Sequence, residues 1–121
     1  MMNRSLAGKR VLITQADVFM GPVLCEVFSG HGATVIASTE SLLSAGAPAA
    51  IVAEAGHIDI LIANLAIAAP TTAATEASEG EWNDIFAALV YPLARLFRAV
   101  LPAMIERRAG KILVMGSASA L

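Results

Sequence analysis

Three short segments of the sequence carry residue types that could bind a ligand or do chemistry. The first runs from Thr14 to Gly21 (TQADVFMG), the second begins at Asn64, and the third is the small-residue turn around Ser117. A serine hydroxyl can donate a hydrogen bond to a substrate oxygen, although a lone serine is equally typical of a simple turn. These residues can form one site only if the fold brings the three segments together.

The segment after the first predicted strand has the position of a dinucleotide-binding loop but not its composition. Such a loop needs glycines, because a chain without Cβ atoms lets backbone N–H groups approach a pyrophosphate. Only the last glycine, Gly21, is present; Gln15 stands where the first would be, and Phe19 lies two residues before Gly21. Phe19 either packs against the following helix or fills space that a cofactor would occupy. We favour the second interpretation.

The elements that must position these residues follow from the apolar pattern. Strands and helices alternate, which predicts an α/β fold of the Rossmann type, a doubly wound parallel sheet with ligands at the carboxyl ends of its strands. Two prolines, Pro92 and Pro102, should bend or break the longest helix. The predicted strands are Lys9–Ile13, Thr34–Ser38, Ile58–Ala63 and Lys111–Met115; the predicted helices are Gly21–His31, Ala49–Ala55 and a long one from about Glu79 to Arg108, with an apolar stripe of Ile85, Leu89, Leu93, Leu96, Val100 and Met104.

Composition narrows the class of protein. The chain has 121 residues, of which 57% are hydrophobic, and we predict a single unit, residues 1–121, that forms the N-terminal part of one domain. We predict no membrane span, no nucleic-acid binding because Lys and Arg are scattered, and a cytoplasmic location because no signal sequence is recognisable. His31 and His57 have no partner at metal-ligand spacing, so no metal site is predicted, and Cys25 is expected near Phe28.

Longer stretches resemble the short-chain dehydrogenase/reductase superfamily. Residues 57–64 (HIDILIAN) resemble its strand leading into an Asn-Asn-Ala-Gly turn, keeping Asn64 but departing at Leu65 and Ala66. Residues 81–85 (EWNDI) and 110–117 (GKILVMGS) resemble its long helix and the strand that ends on its catalytic serine. Leu89 stands where the reductases usually place a proton-relay asparagine, and the interval before the Ile58 strand is too short for a further strand and helix that would contact adenine.

Within that superfamily, Thr14, Phe19 and Gly21 form Thr-x4-Phe-x-Gly, which resembles the loop of halohydrin dehalogenases, particularly the B-type members. The resemblance implies conversion of vicinal haloalcohols to epoxides and halide, with the reverse opening by small anions, in a homotetramer without a redox cofactor. It implies Ser117 as a catalytic residue. It further implies a halide pocket of Phe19, Thr14 and Gly21, and a substrate pocket of Asn64, Leu65 and Ala66.

Two alternatives remain open. One is an NAD(P)-dependent carbonyl reductase with a degenerate glycine loop, and the other is a catalytically silent scaffold subunit. In the family a tyrosine and an arginine follow the serine, and the chain ends at Leu121 before either. We therefore expect the remainder of the protomer as a continuing or companion polypeptide, because Ser117 alone cannot perform the proton transfer.

Overall fold

The structure, a computed structural model, describes residues 5–68 and 71–116, so Ser117 lies outside the described residues. Strands and helices alternate as predicted, with boundaries that differ by one or two residues. The elements in chain order are β1 (Arg10–Ile13), α1 (Gly21–Gly30), β2 (Thr34–Ala37), α2 (Ala47–Ala55), β3 (Ile60–Ala63), α3 (Glu79–Leu89), α4 (Tyr91–Glu106) and β4 (Lys111–Val114).

The four strands form one parallel sheet in the order β2-β1-β3-β4. The two central strands are almost wholly buried, as expected for apolar runs covered on both faces. Only α2 lies between β2 and β3, and β2 has no further strand on its outer side within the described residues. The prediction that this interval lacks an extra strand and helix is therefore confirmed.

Helices cover both faces of the sheet, which gives the Rossmann-type layering. On one face α1 packs over β1 and β2, while on the other α2 and α4 pack against each other and the sheet. The core beneath α2 and α4 is built from Leu12, Leu42, Ile51, Ala55, Ile58, Leu61, Ala63, Leu65, Leu96, Val100 and Met104, and the core beneath α1 from Val11, Ile13, Ala16, Ile60 and Ile62, with Cys25 and Phe28 packed at its margin.

The predicted long helix is two helices. It begins as predicted, with the Ser78 hydroxyl accepting a hydrogen bond from the Glu81 N–H at 3.1 Å. It breaks at Val90, two residues before Pro92, because proline has no N–H to donate and fits only the first turn of a new helix. Pro102 lies inside α4 without ending it.

Much apolar surface is exposed along α3, α4 and β4. In β4, Leu113 is 42% exposed and Val114 is 49% exposed, and no strand pairs with the outer edge of β4 among the described residues. The exposed apolar side chains of the two helices are Trp82, Phe86, Val90, Tyr91, Leu101 and Ile105. By length and composition alone, the 28-residue stretch 79–106 could cross a membrane, which was not predicted from the sequence. In the structure, the buried side of α4 packs on the sheet.

The opposite end of the sheet is held by polar contacts. The Asp59 carboxylate accepts a hydrogen bond from the Arg10 N–H at 2.8 Å and lies 2.9 Å from His57 Nε2, a contact that the sequence did not predict. Arg107, directly after α4, is half-buried and its guanidinium donates to the Ile58 carbonyl. Both contacts join the start of β3 to neighbouring elements.

Candidate functional site

The fold brings two of the three predicted segments together. Because β1 and β3 are parallel neighbours, the loops after them meet at the carboxyl edge of the sheet. The Thr14 hydroxyl donates to the Asn64 carbonyl at 2.9 Å and accepts from the Asn64 N–H at 3.0 Å. Both residues are fully buried. Thr14, predicted as part of the halide pocket, therefore uses its hydroxyl to join the two loops.

Two side-chain amides complete the junction in opposite directions. Asn64 Nδ2 donates to the carbonyls of Gln15 and Val18, each at 3.0 Å. In return, Gln15 Oε1 accepts from the Ala66 N–H at 2.7 Å. Each loop therefore supplies the hydrogen-bond partner that the other loop's backbone needs, and the loops are held at a fixed separation.

The first loop has a backbone conformation that favours glycine at two positions that carry other residues. Gln15 has φ 44° and Phe19 has φ 51°, both in the left-handed region that favours glycine. Gly21 opens α1 so close to Ala16 that a Cβ atom there would overlap the main-chain oxygen of Ala16. Gln15 and Phe19 thus place side chains on a loop where a pyrophosphate-binding chain would use glycines.

Two adjacent cavities lie over these loops. The first, of about 410 Å³, is lined by Val18, Phe19, Ala66, Ile67 and Ala68, and we call it the Phe19 cavity. The second, of about 430 Å³, we call the Gln15 cavity; it is lined by Gln15, Asp17, Val18, Thr39, Glu40, Ser41, Leu42, Leu43, Ala66, Ile67 and Ala88. The two share Val18, Ala66 and Ile67, so they lie side by side, and we call them together the crevice.

The predicted site residues divide into crevice and core. Phe19 is 51% exposed and belongs to neither core cluster, and Ala66 lines both cavities. Leu65, in contrast, is buried in the core beneath α4, and Asn64 and Gly21 are buried and do not line either cavity. Ser117 lies outside the described residues.

Sequence reasoning missed part of the lining. It treated Gln15 only as a lost glycine and did not consider Val18, Leu43 or Ile67. A signal was present for Ile67, since a large apolar residue directly after a strand end is placed at the ligand edge of a parallel sheet.

The lone cysteine does not belong to this site. Cys25 lies on α1 and is half-buried against the sheet, and desolvation raises the pKa of its thiol. A thiol with a raised pKa forms less of the nucleophilic thiolate.

Comparisons with known proteins agree on the fold and divide on the activity. The family model of short chain dehydrogenases matches residues 45–121. The 3-oxoacyl-[acyl-carrier-protein] reductases FabG of Salmonella typhimurium and Escherichia coli are each 30% identical to the chain, which spans 56% and 55% of their respective lengths. The alignment to the Salmonella protein has 138 positions against 121 residues here, so that relative has additional residues inside the matched range.

Two solved structures superpose equally well. One, described as a dehalogenation enzyme, is 28% identical with a TM-score of 0.84; the match covers 98% of this chain and 57% of that one. The other is a 3-oxoacyl-[acyl-carrier protein] reductase with bound NAD from Brucella melitensis, 18% identical, also with a TM-score of 0.84, and the match covers 96% of this chain and 56% of that one. The alternating fold, the loop junction at its carboxyl edge and the family match together establish that this chain belongs to the short-chain dehydrogenase family.

Proposed function

We propose that this chain is the N-terminal part of a halohydrin dehalogenase, a member of the family that works without a redox cofactor. The observation that carries the proposal is the pair Gln15 and Phe19, which occupy left-handed glycine positions at the first loop. Their side chains replace the open backbone that a pyrophosphate requires. The similarity to the dehalogenation enzyme at 28% identity supports the same conclusion.

The chemistry proposed for the site is an intramolecular displacement. A base removes the proton of the substrate hydroxyl, and the resulting oxygen attacks the neighbouring carbon while the carbon–halogen bond breaks, so that an epoxide and a halide ion leave. The Phe19 cavity is apolar and lies beside the N-terminus of α1, where a departing anion is favoured. Orientation of the attacking oxygen opposite the carbon–halogen bond supplies much of the rate.

Ser117 is proposed to bind the substrate hydroxyl, and the base is proposed to lie in polypeptide that follows Leu121. The chain spans about half the length of the curated relatives it matches. The unpaired outer edge of β4, with Leu113 and Val114 exposed, is the place where the rest of the domain would pair. A cytoplasmic location and a homotetramer stay predictions of the resemblance.

A second candidate is an NAD(P)-dependent reductase. The curated relatives are reductases, and Glu40 lies in the loop after β2, where a dinucleotide-binding fold places the acid that binds ribose. Against this candidate, the loop that would hold the pyrophosphate carries Gln15 and Phe19.

One experiment separates the two candidates. The protein, together with any polypeptide that continues from Leu121, is incubated with a vicinal bromoalcohol while bromide release is measured, and in parallel with a 3-oxoacyl thioester and NADPH or NADH. Bromide release without nicotinamide oxidation is expected, and Ser117→Ala should reduce that release by about 100-fold. Nicotinamide oxidation without bromide release would establish the reductase.

A further inference from the structure

The outer edge of β2 is an open strand edge, on the side of the sheet opposite β4. The N–H groups of Thr34 and Ser38 donate to carbonyls on the β1 side. In a parallel ladder the N–H and C=O groups of the alternate residues, Val35 and Ala37, therefore face away from β1. Within the part of the chain that the structure describes, no strand pairs with these outward groups. Such an edge can pair with another extended chain.

A groove of about 280 Å³ lies between this edge and α2, and we call it the β2 groove. Its lining includes Glu40, which follows β2, and Glu54 and Ala55, the last two residues of α2. The Ala55 carbonyl accepts a hydrogen bond from the guanidinium of Arg10 at the start of β1, so the groove extends along β2 from one end to the other. The other lining residues are Leu12, Ile36, Ala37, Ser38, Thr39 and Ile51.

The β2 groove is distinct from the crevice. It shares Thr39 and Glu40 with the Gln15 cavity, but none of its lining residues belongs to the loop after β1 or to the loop after β3. The crevice lies over the junction of those two loops, whereas the groove lies beside the outer edge of the sheet.

The lining of the groove matches a side chain with an apolar stem and a cationic head. Ile36 and Ile51 supply apolar surface, and the ionisable residues of the lining are Glu40 and Glu54. Neither carboxylate forms a hydrogen bond or an ion pair with any other residue that the structure describes. Arginine and lysine pack an apolar stem on apolar surface and bind carboxylates through their charged ends.

We propose that the outer edge of β2 and the β2 groove together bind an extended peptide segment of a partner protein. The segment pairs with β2 through its main chain and places an arginine or lysine side chain in the groove. A second copy of this chain fits less well, because its own outer strand, Thr34–Ala37, contains no basic residue. The proposal does not depend on the dehalogenation chemistry, since the groove is distinct from the crevice.

The test measures binding of the fluorescein-labelled hexapeptide TVRVTV by fluorescence anisotropy, using the protein with any polypeptide that continues from Leu121. A peptide with citrulline in place of arginine keeps the shape and loses the charge, so it should bind at least about tenfold more weakly. Two further peptides carry N-methyl groups on either the odd or the even residues. The set whose N–H groups face β2 should lose binding and the other set should keep it, because alternate residues of a strand face opposite sides.

Variants of the protein test the two parts of the site separately. Glu40→Gln and Glu54→Gln should each weaken the arginine peptide several-fold and leave the citrulline peptide unchanged. Glu26→Gln, at an exposed carboxylate on α1, is the matched control and should change neither. Ala37→Pro removes an outward N–H without removing a bond to β1, so it should abolish binding of both peptides. Circular dichroism establishes that each variant keeps its fold.

Four results would overturn the proposal. Absence of saturable binding of the arginine peptide at about 1 mM would remove the site. Equal affinity of the arginine and citrulline peptides would remove the role of the carboxylates. The same effect of both N-methylated sets would show that the peptide does not pair as a strand. A dimer that Ala37→Pro dissociates and the peptide does not would assign the edge to a second copy of this chain.

Discussion

The side-chain amides of Gln15 and Asn64 each bind the main chain of the other residue's loop. Asn64 Nδ2 donates to two carbonyls at 3.0 Å, and Gln15 Oε1 accepts from the Ala66 N–H at 2.7 Å. Asn64 is fully buried, whereas Gln15 is half-buried at the crevice. These three hydrogen bonds act in parallel on the same pair of loops, so their contributions to stability should be coupled.

Removing the buried side chain of this junction, that of Asn64, should lower the free energy of unfolding more than removing that of Gln15. Asn64→Ala leaves the carbonyls of Gln15 and Val18 without their donor, and we expect a loss of about 3 kcal/mol in the free energy of unfolding. Gln15→Met should cost only about 1 kcal/mol, because water can reach the Ala66 N–H. Urea denaturation measures both, with Asn83→Ala on the surface of α3 as the control. Equal effects of Asn64→Ala and Asn83→Ala would contradict the role assigned to the junction.

The close approach of Gly21 to Ala16 makes a second prediction. Gly21→Ala should lower the free energy of unfolding by about 2 kcal/mol or more, because the added methyl overlaps main-chain atoms that cannot rotate away. Gly46→Ala is the matched control, since a Cβ there meets nothing within 4 Å and φ is −87°. We expect its effect to stay within about 0.5 kcal/mol. A similar result for the two variants would show that the first loop can shift.

Phe19→Gly should not restore cofactor binding. The substitution relieves a left-handed φ of 51°, yet Gln15 still occupies the first glycine position with its side chain bonded to Ala66. Titration of NADH followed by its fluorescence should therefore give no saturable change in the variant or the parent. Binding with the affinity of an ordinary reductase would mean that Phe19 alone blocks the nucleotide.

Acid should weaken the contacts at the opposite end of the sheet. The hydrogen bond from the Arg10 N–H, opposed by partial burial and helped by His57, holds the pKa of Asp59 below its ordinary value of 3.8. A lowered folded pKa means that this stabilisation is present above the unfolded pKa and is lost as the pH falls through the folded value.

The variant Asp59→Asn tests this dependence. It should reduce the loss of stability measured between pH 6 and pH 3, because the amide does not titrate in that range. Asp84→Asn, at an exposed position on α3, is the control. The interpretation fails if Asp59→Asn retains the full acid dependence of the parent.

The exposed edge of β4 predicts the behaviour of residues 1–121 expressed alone. Sedimentation should detect aggregates, and thermal unfolding should be broad, because an unpaired strand edge and a long apolar surface favour association. Val114→Lys should reduce aggregation, since a lysine at a strand edge disfavours further pairing, whereas Val23→Lys on α1 should not. A monodisperse monomer with a sharp transition would refute the half-domain interpretation.

The fold could be predicted from the sequence because each helix and strand is indicated by residues that are close together in the chain. Apolar runs and glycine stops identify each strand and helix, and the short interval before β3 predicted the missing strand. The break at Val90 could have been sharpened as well, since Pro92 fits the first turn of a helix and not its interior. The predicted strands are one or two residues too long, because a strand ends where its pairing with a neighbouring strand ends, and that neighbour is remote in sequence.

The site was harder to predict because side-chain direction depends on the turn. Asn64 and Leu65 follow a strand at the ligand edge, yet both point into protein, and Ala66 is the residue that reaches the crevice. The left-handed φ of Gln15 could not be inferred from its type, since glutamine rarely adopts that conformation. The orientation of its amide likewise depends on the Ala66 N–H, 51 residues away.

The position of the single tryptophan has a practical consequence. Trp82 lies on α3, is 49% exposed and lines neither cavity of the crevice. Its fluorescence should therefore be insensitive to molecules that enter the crevice and should shift to shorter wavelength when another surface covers α3. The protein thus carries an intrinsic optical reporter of assembly that is separate from ligand occupancy.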